Sequence, residues 1–161
     1  MHFSTAELCD RYADQRHIQI AEPIFKTFGG ISAFFGQIAT LKTFEDDVLI
    51  GTALSSPGKG RVLVVDGGGS HRCSLIDGRL GKLAVDNGWS GIVVYGCIRN
   101  THELSGLPLG LRALHAHPMK AHQRGSGDRD SLITFGSVNF RSGNHIYVDD
   151  DGMVVADDEL I

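Results

Sequence analysis

The sequence predicts an α/β fold with a β-rich C-terminal part. In VLVVDGGGSHRC, residues 62–73, four apolar residues run into an aspartate and three glycines. Leu80, Leu83 and Ala84 then recur at helical spacing, and GIVVYGC follows as a nearly continuous apolar strand of the kind buried on both faces. This strand, helix, strand order predicts that Val62–Val65 and Ile92–Tyr95 are parallel neighbours. The last third, SLITFGSVNF RSGNHIYVDDDGMVVADDELI, is all strand and turn. Too few helices alternate with strands for a long doubly wound sheet.

Each element has its own signal. Ser4 with Glu7 fits a capping box, for a helix reaching Tyr12. IQIAEPIFKTFGG reads as extended chain ending at the Gly29-Gly30 turn. FFGQIATLKTF alternates as a half-buried strand does. Glu45 to Leu54 reads as a short helix with Asp46 as N-cap, and Ser55 to Gly60 as a loop. A strand over Arg61–Val65 leads through the glycines to a helix over Gly78–Asn87, stopped by Asn87-Gly88. His102–Leu104 starts another short helix, and Leu109–Ala116 is a strand or loop. IYVDDDGMVVA reads as a hairpin with Asp151-Gly152 at its tip.

The chain has 161 residues, the size of one domain (1–161) with a sizeable core. Its formal net charge of -4 argues against nonspecific nucleic-acid binding, although Lys120, His122 and Arg124 form a local basic group. Three cysteines, an odd count without paired spacing, point to reduced thiols. The opening MHFSTAELCD has no apolar export core, so a cytoplasmic protein is expected, and no run is long enough to span a membrane.

Gly67-Gly68-Gly69 could cradle an anion with backbone N–H groups, make a structural turn, or meet a subunit. It is neither a P-loop, since Ser-His-Arg stands where Lys-Ser/Thr is needed, nor a dinucleotide fingerprint. Arg99 follows the next strand, where ligands bind in α/β sheets and a guanidinium suits a carboxylate; a rim salt bridge is the plainer role. His115, His117 and His122 lack a fourth ligand for zinc. Cys97 reads as a buried structural thiol, and Asp66 as the cap of its own turn. Asp149, Asp150 and Asp151 fall short of a calcium loop.

VLVVDGGGS, LAVDNGWSGIVVYGCIRN, LGLRALHAHPMKA and YVDDDGMVV together resemble the RraA-like family. That family contains regulators of ribonuclease E activity and class II 4-hydroxy-4-methyl-2-oxoglutarate aldolases. The resemblance runs in order over nearly the whole chain, from TAELCD through FKTFGG and Glu45-Asp46 to the terminal hairpin, and is nearest the ribonuclease-regulator branch. It implies a swivelling β/β/α sandwich assembled as a ring-shaped homotrimer or a dimer of trimers, with sites near subunit boundaries. The object of the glycine turn would then be an oxo-acid, a neighbouring subunit or both. No loop suited to S-adenosylmethionine is visible, so the menaquinone methyltransferase label some members carry is rejected.

The aldolase members hold Mg²⁺ or Mn²⁺ with an Asp at a helix start, in a GDxL-like stretch, and with the Asp of an Arg-Asp pair after the next strand. The arginine and the helix-start N–H groups grip the pyruvate portion, and the metal and arginine together stabilise the enolate of a retro-aldol cleavage. Carried over, the substrate-binding set is Gly78, Arg79, Leu80, Gly81 and Arg99, with Arg99 catalytic in an active enzyme. The expected metal acids are Gly78 and Asn100 here. Asn100 brings no charge, and Asp77 lies one residue early, about 100° around a helix start. His102 and Glu103 are near in sequence. The reading favoured is inhibition of ribonuclease E, by contact with the nuclease or its degradosome components and without any cofactor. The residual pocket would hold a small oxo-acid or carboxylate weakly. The alternative is a divalent-metal-dependent aldolase with oxaloacetate decarboxylase side activity. Candidate contact surfaces are His115 to Arg124 and the acidic tail Asp149-Asp150-Asp151…Asp157-Asp158-Glu159.

Overall fold

The structure is a computed structural model that describes residues 2–14 and 17–161. In chain order its elements are α1 (Thr5–Tyr12), β1 (Ile18–Ile20), β2 (Lys26–Thr27), β3 (Phe34–Lys42), α2 (Val48–Leu54), β4 (Val62–Asp66), β5 (Ser74–Ile76), α3 (Gly78–Asp86) and β6 (Gly91–Tyr95). They continue as β7 (Cys97–Ile98), α4 (Thr101–Ser105), β8 (Gly110–Ala113), β9 (His115–Ala116), β10 (Asp128–Arg129), β11 (Ile133–Phe135), β12 (Val138–Phe140), β13 (His145–Asp149) and β14 (Gly152–Ala156). The fold is α/β, as the sequence predicts.

The large sheet has the order β1-β14-β13-β3-β4-β6-β8-β2, with β10 beside the end of β3. Its centre is parallel: β3, β4, β6 and β8 are neighbours in that order, connected by α2, α3 and α4. Val62 pairs with Gly91 and Val65 with Val94, so the two predicted strands are indeed neighbours. Leu63, Val65, Ile92 and Val94 turn to the core that also holds Ile50, Leu54, Leu80, Ala84 and Leu104 of the helices. Val62, Val64 and Val93 turn the other way, onto Phe135, Val138 and Phe140 of the β11–β12 hairpin and Ile146 and Val155 of β13 and β14. One sheet contributes residues to both sides of this second core because it curls over. Both faces of β4 are therefore apolar and buried, which accounts for its unbroken VLVV. A third cluster packs Leu8 of α1 against Tyr147 and Val154 on the outer face of the curl. Ser4 caps α1 by accepting from the Glu7 N–H at 3.3 Å. Asp149 anchors the helix to β13, accepting from the Thr5 N–H and hydroxyl at 2.8 and 2.6 Å.

A small parallel sheet, β5-β7-β9, stands at the carboxyl ends of the central strands. Gly96 alone separates β6 from β7, and Leu114 alone separates β8 from β9. β6 and β8 thus step directly into the small sheet, at the end where α/β sheets carry their sites.

Four readings need correction. β3 is half-buried only over its first residues; Ile38 to Leu41 are all buried, since Ile38 packs into the core inside the curl, Ala39 and Leu41 into the core of the helices, and Thr40 bonds to Ser131 and Ser142. α2 begins at Val48, because Glu45 has φ +56°, outside helical backbone; Asp46 still caps the Val48 N–H at 3.1 Å, from one position before the N-cap Asp47. The Leu109–Ala116 stretch is two strands, in different sheets. The terminal hairpin turns at Asp150-Asp151, with Gly152 already paired to Asp149. No helix among the described residues is long and apolar enough to cross a membrane.

Candidate functional site

The glycine turn is closed by backbone. The Gly67 and Gly69 N–H groups both donate to the Tyr95 carbonyl, each at 3.1 Å. The Gly68 N–H donates to Asp66 Oδ1 at 2.9 Å, and Ser70 N–H to the Gly67 carbonyl at 3.5 Å. No row of N–H groups remains to cradle an anion, so the turn's object within this chain is the end of β6. Glycine is required by geometry: φ is +70° at both Gly68 and Gly69, and a Cβ on Gly67 would lie 2.8 Å from the Tyr95 carbonyl oxygen. Asp66 caps this turn, as its position suggests.

The carried-over residues meet at the start of α3. Backbone alone brings the two segments together, for the Arg99 N–H donates to the Ile76 carbonyl at 2.9 Å. Asp77 is the N-cap, its Oδ1 accepting from the Leu80 N–H at 2.8 Å and its Oδ2 lying 3.8 Å from Arg99 Nη2. Asn100, in the left-handed conformation at φ +58°, turns its Oδ1 to the Gly78 N–H at 3.0 Å. Glu103 lies over Gly78; a Cβ there would fall into its carboxylate, 2.6 Å from Oε1. Arg99 Nη1 reaches the Pro118 carbonyl at 3.4 Å, while Nε is buried without a partner. Arg79 is exposed. Leu80 is buried in the core, and a Cβ on Gly81 would meet the Leu104 and Leu107 side chains. Of the five substrate-binding candidates, Leu80 and Gly81 therefore serve packing, and the Gly78 and Leu80 N–H groups already have acceptors. The Arg79 and Arg99 side chains and the Arg79 N–H remain for an incoming carboxylate.

The donor set does not fit the Mg²⁺ or Mn²⁺ that the resemblance implies. Position 78 has no side chain. The Asn100 oxygen accepts from a helix N–H, and Asp77 is shared between a cap and an arginine. Among the described residues no three His, Cys, Asp or Glu side chains are grouped to hold an ion. Hard dications need charged oxygens free to turn toward them.

Sequence reasoning missed the surroundings. Asp47 is buried, accepts from Gln123 Nε2 at 3.4 Å, and shares a cleft of about 320 Å³ with Arg79, Gly51 and Leu83. Burial, with Asp77 nearby, holds its carboxyl above the usual range. Its neighbour Asp46 is shifted the other way. Burial alone would raise it, but the N–H groups of Val48, Arg124, Ser126 and Gly125 outweigh burial and lower it. These bonds, with His122 N–H on the Glu45 carbonyl at 2.8 Å, pin the His115 to Arg124 stretch to the turn before α2. His117 Nδ1 accepts from the Met119 N–H, and His115 Nδ1 faces Lys26, so the three histidines make no common site. Cys97 is buried with its thiol pushed up, chiefly by that burial, and its Sγ donates to the Ser70 carbonyl. The Asp149 oxygens already receive Thr5 and the Asp151 N–H.

Residues 5–155 match the RraA-like family, described as Aldolase/RraA. The chain belongs to this family. A protein of Methylococcus capsulatus, named as a proposed 4-hydroxy-4-methyl-2-oxoglutarate aldolase, is 56% identical over 161 residues, the whole of both chains. Among solved structures, the RNA-processing inhibitor RraA from Thermus thermophilis superposes with a TM-score of 0.95 at 37% identity, over 100% of this chain and 96% of that one. A Geobacillus kaustophilus protein described as an S-adenosylmethionine:2-dimethylmenaquinone methyltransferase also gives 0.95, at 41% identity over 98% and 97%. Relatives of this family thus carry three different functional names, and geometry has to choose between the chemistries.

Proposed function

We propose that this protein inhibits ribonuclease E by binding it, or its degradosome components, directly, and so modulates RNA turnover. The observation that carries the reading is Asn100. Where the aldolase pattern puts a metal-binding carboxylate, a neutral amide accepts from the Gly78 N–H and completes the start of α3. The pyruvate-gripping N–H groups of Gly78 and Leu80 are taken in the same way. The likeness to the Thermus RNA-processing inhibitor supports the same reading. The action is by surface contact, in the cytoplasm, from a ring-shaped homotrimer or dimer of trimers that needs no cofactor. The competing reading, a metal-dependent aldolase, has the names of relatives behind it but lacks donors for the metal in this chain.

The test is ribonuclease E cleavage of a labelled RNA, followed while purified protein is added. Initial rates should fall and level off at a fixed stoichiometry, the two proteins should co-purify, and the RNA should stay intact when the nuclease is omitted. Unchanged rates at large molar excess, without co-purification, would contradict the proposal.

A further inference from the structure

Helices α2 and α3 pack side by side, and the cleft of about 320 Å³ beside Asp47 lies between them. Its two walls differ in polarity. On the α2 side Asp47 is only 8% exposed and its Oδ1 accepts one hydrogen bond, from Gln123 Nε2 at 3.4 Å, while its Oδ2 accepts none. Thr52 and Ser55 line the same wall. Their hydroxyls donate to the Val48 and Gly51 carbonyls at 3.1 and 2.7 Å, which leaves them lone pairs to offer. On the α3 side stands Arg79, exposed and without a hydrogen bond or ion pair among the described residues.

The other charges nearby are already answered within the chain. Asp46 is taken by backbone N–H groups, and Asp77 and Arg99 approach each other to 3.8 Å. Asp47 and Arg79 are left, an anion and a cation on one cleft that form no ion pair with each other. A nearly buried carboxylate with no cation on it is unfavourable, and its open oxygen is a place for a charged donor. Gly51 provides the room. A Cβ there would make only ordinary contact with Leu80, at 3.6 Å, so packing does not require glycine at this position. Val48 and Leu83 give the cleft an apolar flank.

We propose that this cleft binds a free aliphatic α-amino acid, with its ammonium on Asp47 and its carboxylate on Arg79. A simple anion or an oxo-acid would meet the Asp47 charge uncompensated, and a simple amine would leave Arg79 unanswered. A zwitterion answers both and brings no net charge. Its ammonium carries three N–H donors for Asp47 Oδ2 and a neighbouring hydroxyl, and the guanidinium fork matches its carboxylate. Val48 and Leu83 receive the aliphatic side chain. The inference stands apart from the ribonuclease reading: no nuclease enters its test, and either can fail without the other.

The experiment is calorimetric titration of the full chain, near neutral pH, with compounds that share one carbon skeleton. These are L-leucine, 4-methyl-2-oxopentanoate, which lacks the ammonium, and 3-methylbutylamine, which lacks the carboxylate. Leucine should bind roughly tenfold more tightly than either. Asp47→Asn, nearly the same shape, should weaken leucine roughly tenfold and leave the oxo-acid at least as tight as in wild type, so that the preference disappears. Arg79→Gln should weaken leucine and the oxo-acid together and leave the amine unchanged. Arg79 lies on the surface, so this second variant decides the matter even where Asp47→Asn folds poorly. Equal binding of all the compounds, no heat with millimolar leucine, or leucine binding that Arg79→Gln leaves unchanged would overturn the proposal.

Discussion

The turn after β4 and the start of α3 both lie at the carboxyl end of the central sheet, both contain glycine, and both have N–H groups with acceptors inside this chain. They differ in what occupies them. At Gly67 and Gly69 the acceptor is the Tyr95 carbonyl, a backbone atom fixed by the pairing of β4 with β6. At Gly78 and Leu80 the acceptors are the side chains of Asn100 and Asp77. A turn closed by backbone is set by the fold and cannot be reopened without unfolding the sheet end. A helix start closed by side chains is set by two residue choices, and other choices would open it. The glycine-rich stretch that looks most like a ligand loop is therefore the fixed one. The plainer Asp77-Gly78-Arg79-Leu80 stretch is the one whose side chains decide whether its N–H groups are open.

Substitutions sharpen the contrast in order of expected size. Gly67→Ala should be the most damaging, at about 3 kcal/mol in denaturant unfolding, because its Cβ meets the Tyr95 carbonyl and Leu75. Asp46→Asn comes next, at about 2 kcal/mol, since a buried carboxylate that accepts from several N–H groups is replaced by a half-donor. Asp46 is lowered in the folded state, so its contribution is present above the unfolded carboxyl pKa of about 3.9 and is lost as pH falls through the folded value. The gap between wild type and Asp46→Asn should therefore be widest near neutrality and close in acid. A gap independent of pH would show that shape, not charge, is what matters there.

Asn100→Ala should cost about 1.5 kcal/mol, from the lost cap and the left-handed backbone, while Asn100→Asp should stay near wild type. Gly78→Ala should be smallest, within about 0.5 kcal/mol, because its obstacle is the far end of the exposed Glu103 side chain and alanine favours the helix. A Gly78→Ala loss as large as that of Gly67→Ala would erase the distinction between the two turns.

What the sequence makes legible follows the range of the interactions. The α1 cap is readable because Ser4 and Glu7 are three positions apart. VLVV and GIVVY are readable because central parallel strands are apolar on both faces. The second half of β3 is not, since both its faces are covered by residues distant in sequence. Glu45 reads as helical from composition, but its left-handed backbone is imposed by bonds from Ser70, Arg72 and the His122 N–H. At the site, Gly78 and Asn100, where the resemblance implies acids, are visible in the letters. That Asn100 caps Gly78, that Glu103 covers it, and that Asp47 is buried beside Arg79 are tertiary facts.

The central claim is that the start of α3 no longer holds a metal-dependent aldolase site. It is tested most directly by pyruvate release from 4-hydroxy-4-methyl-2-oxoglutarate and oxaloacetate, measured with Mg²⁺, with Mn²⁺ and with EDTA, beside Arg99→Ala and an active aldolase of the family. The account predicts no metal-dependent turnover above background. Turnover that EDTA removes and that Arg99→Ala abolishes would contradict it, and would mean that Asp77, Asn100 and Glu103 rebuild the site in the assembled protein.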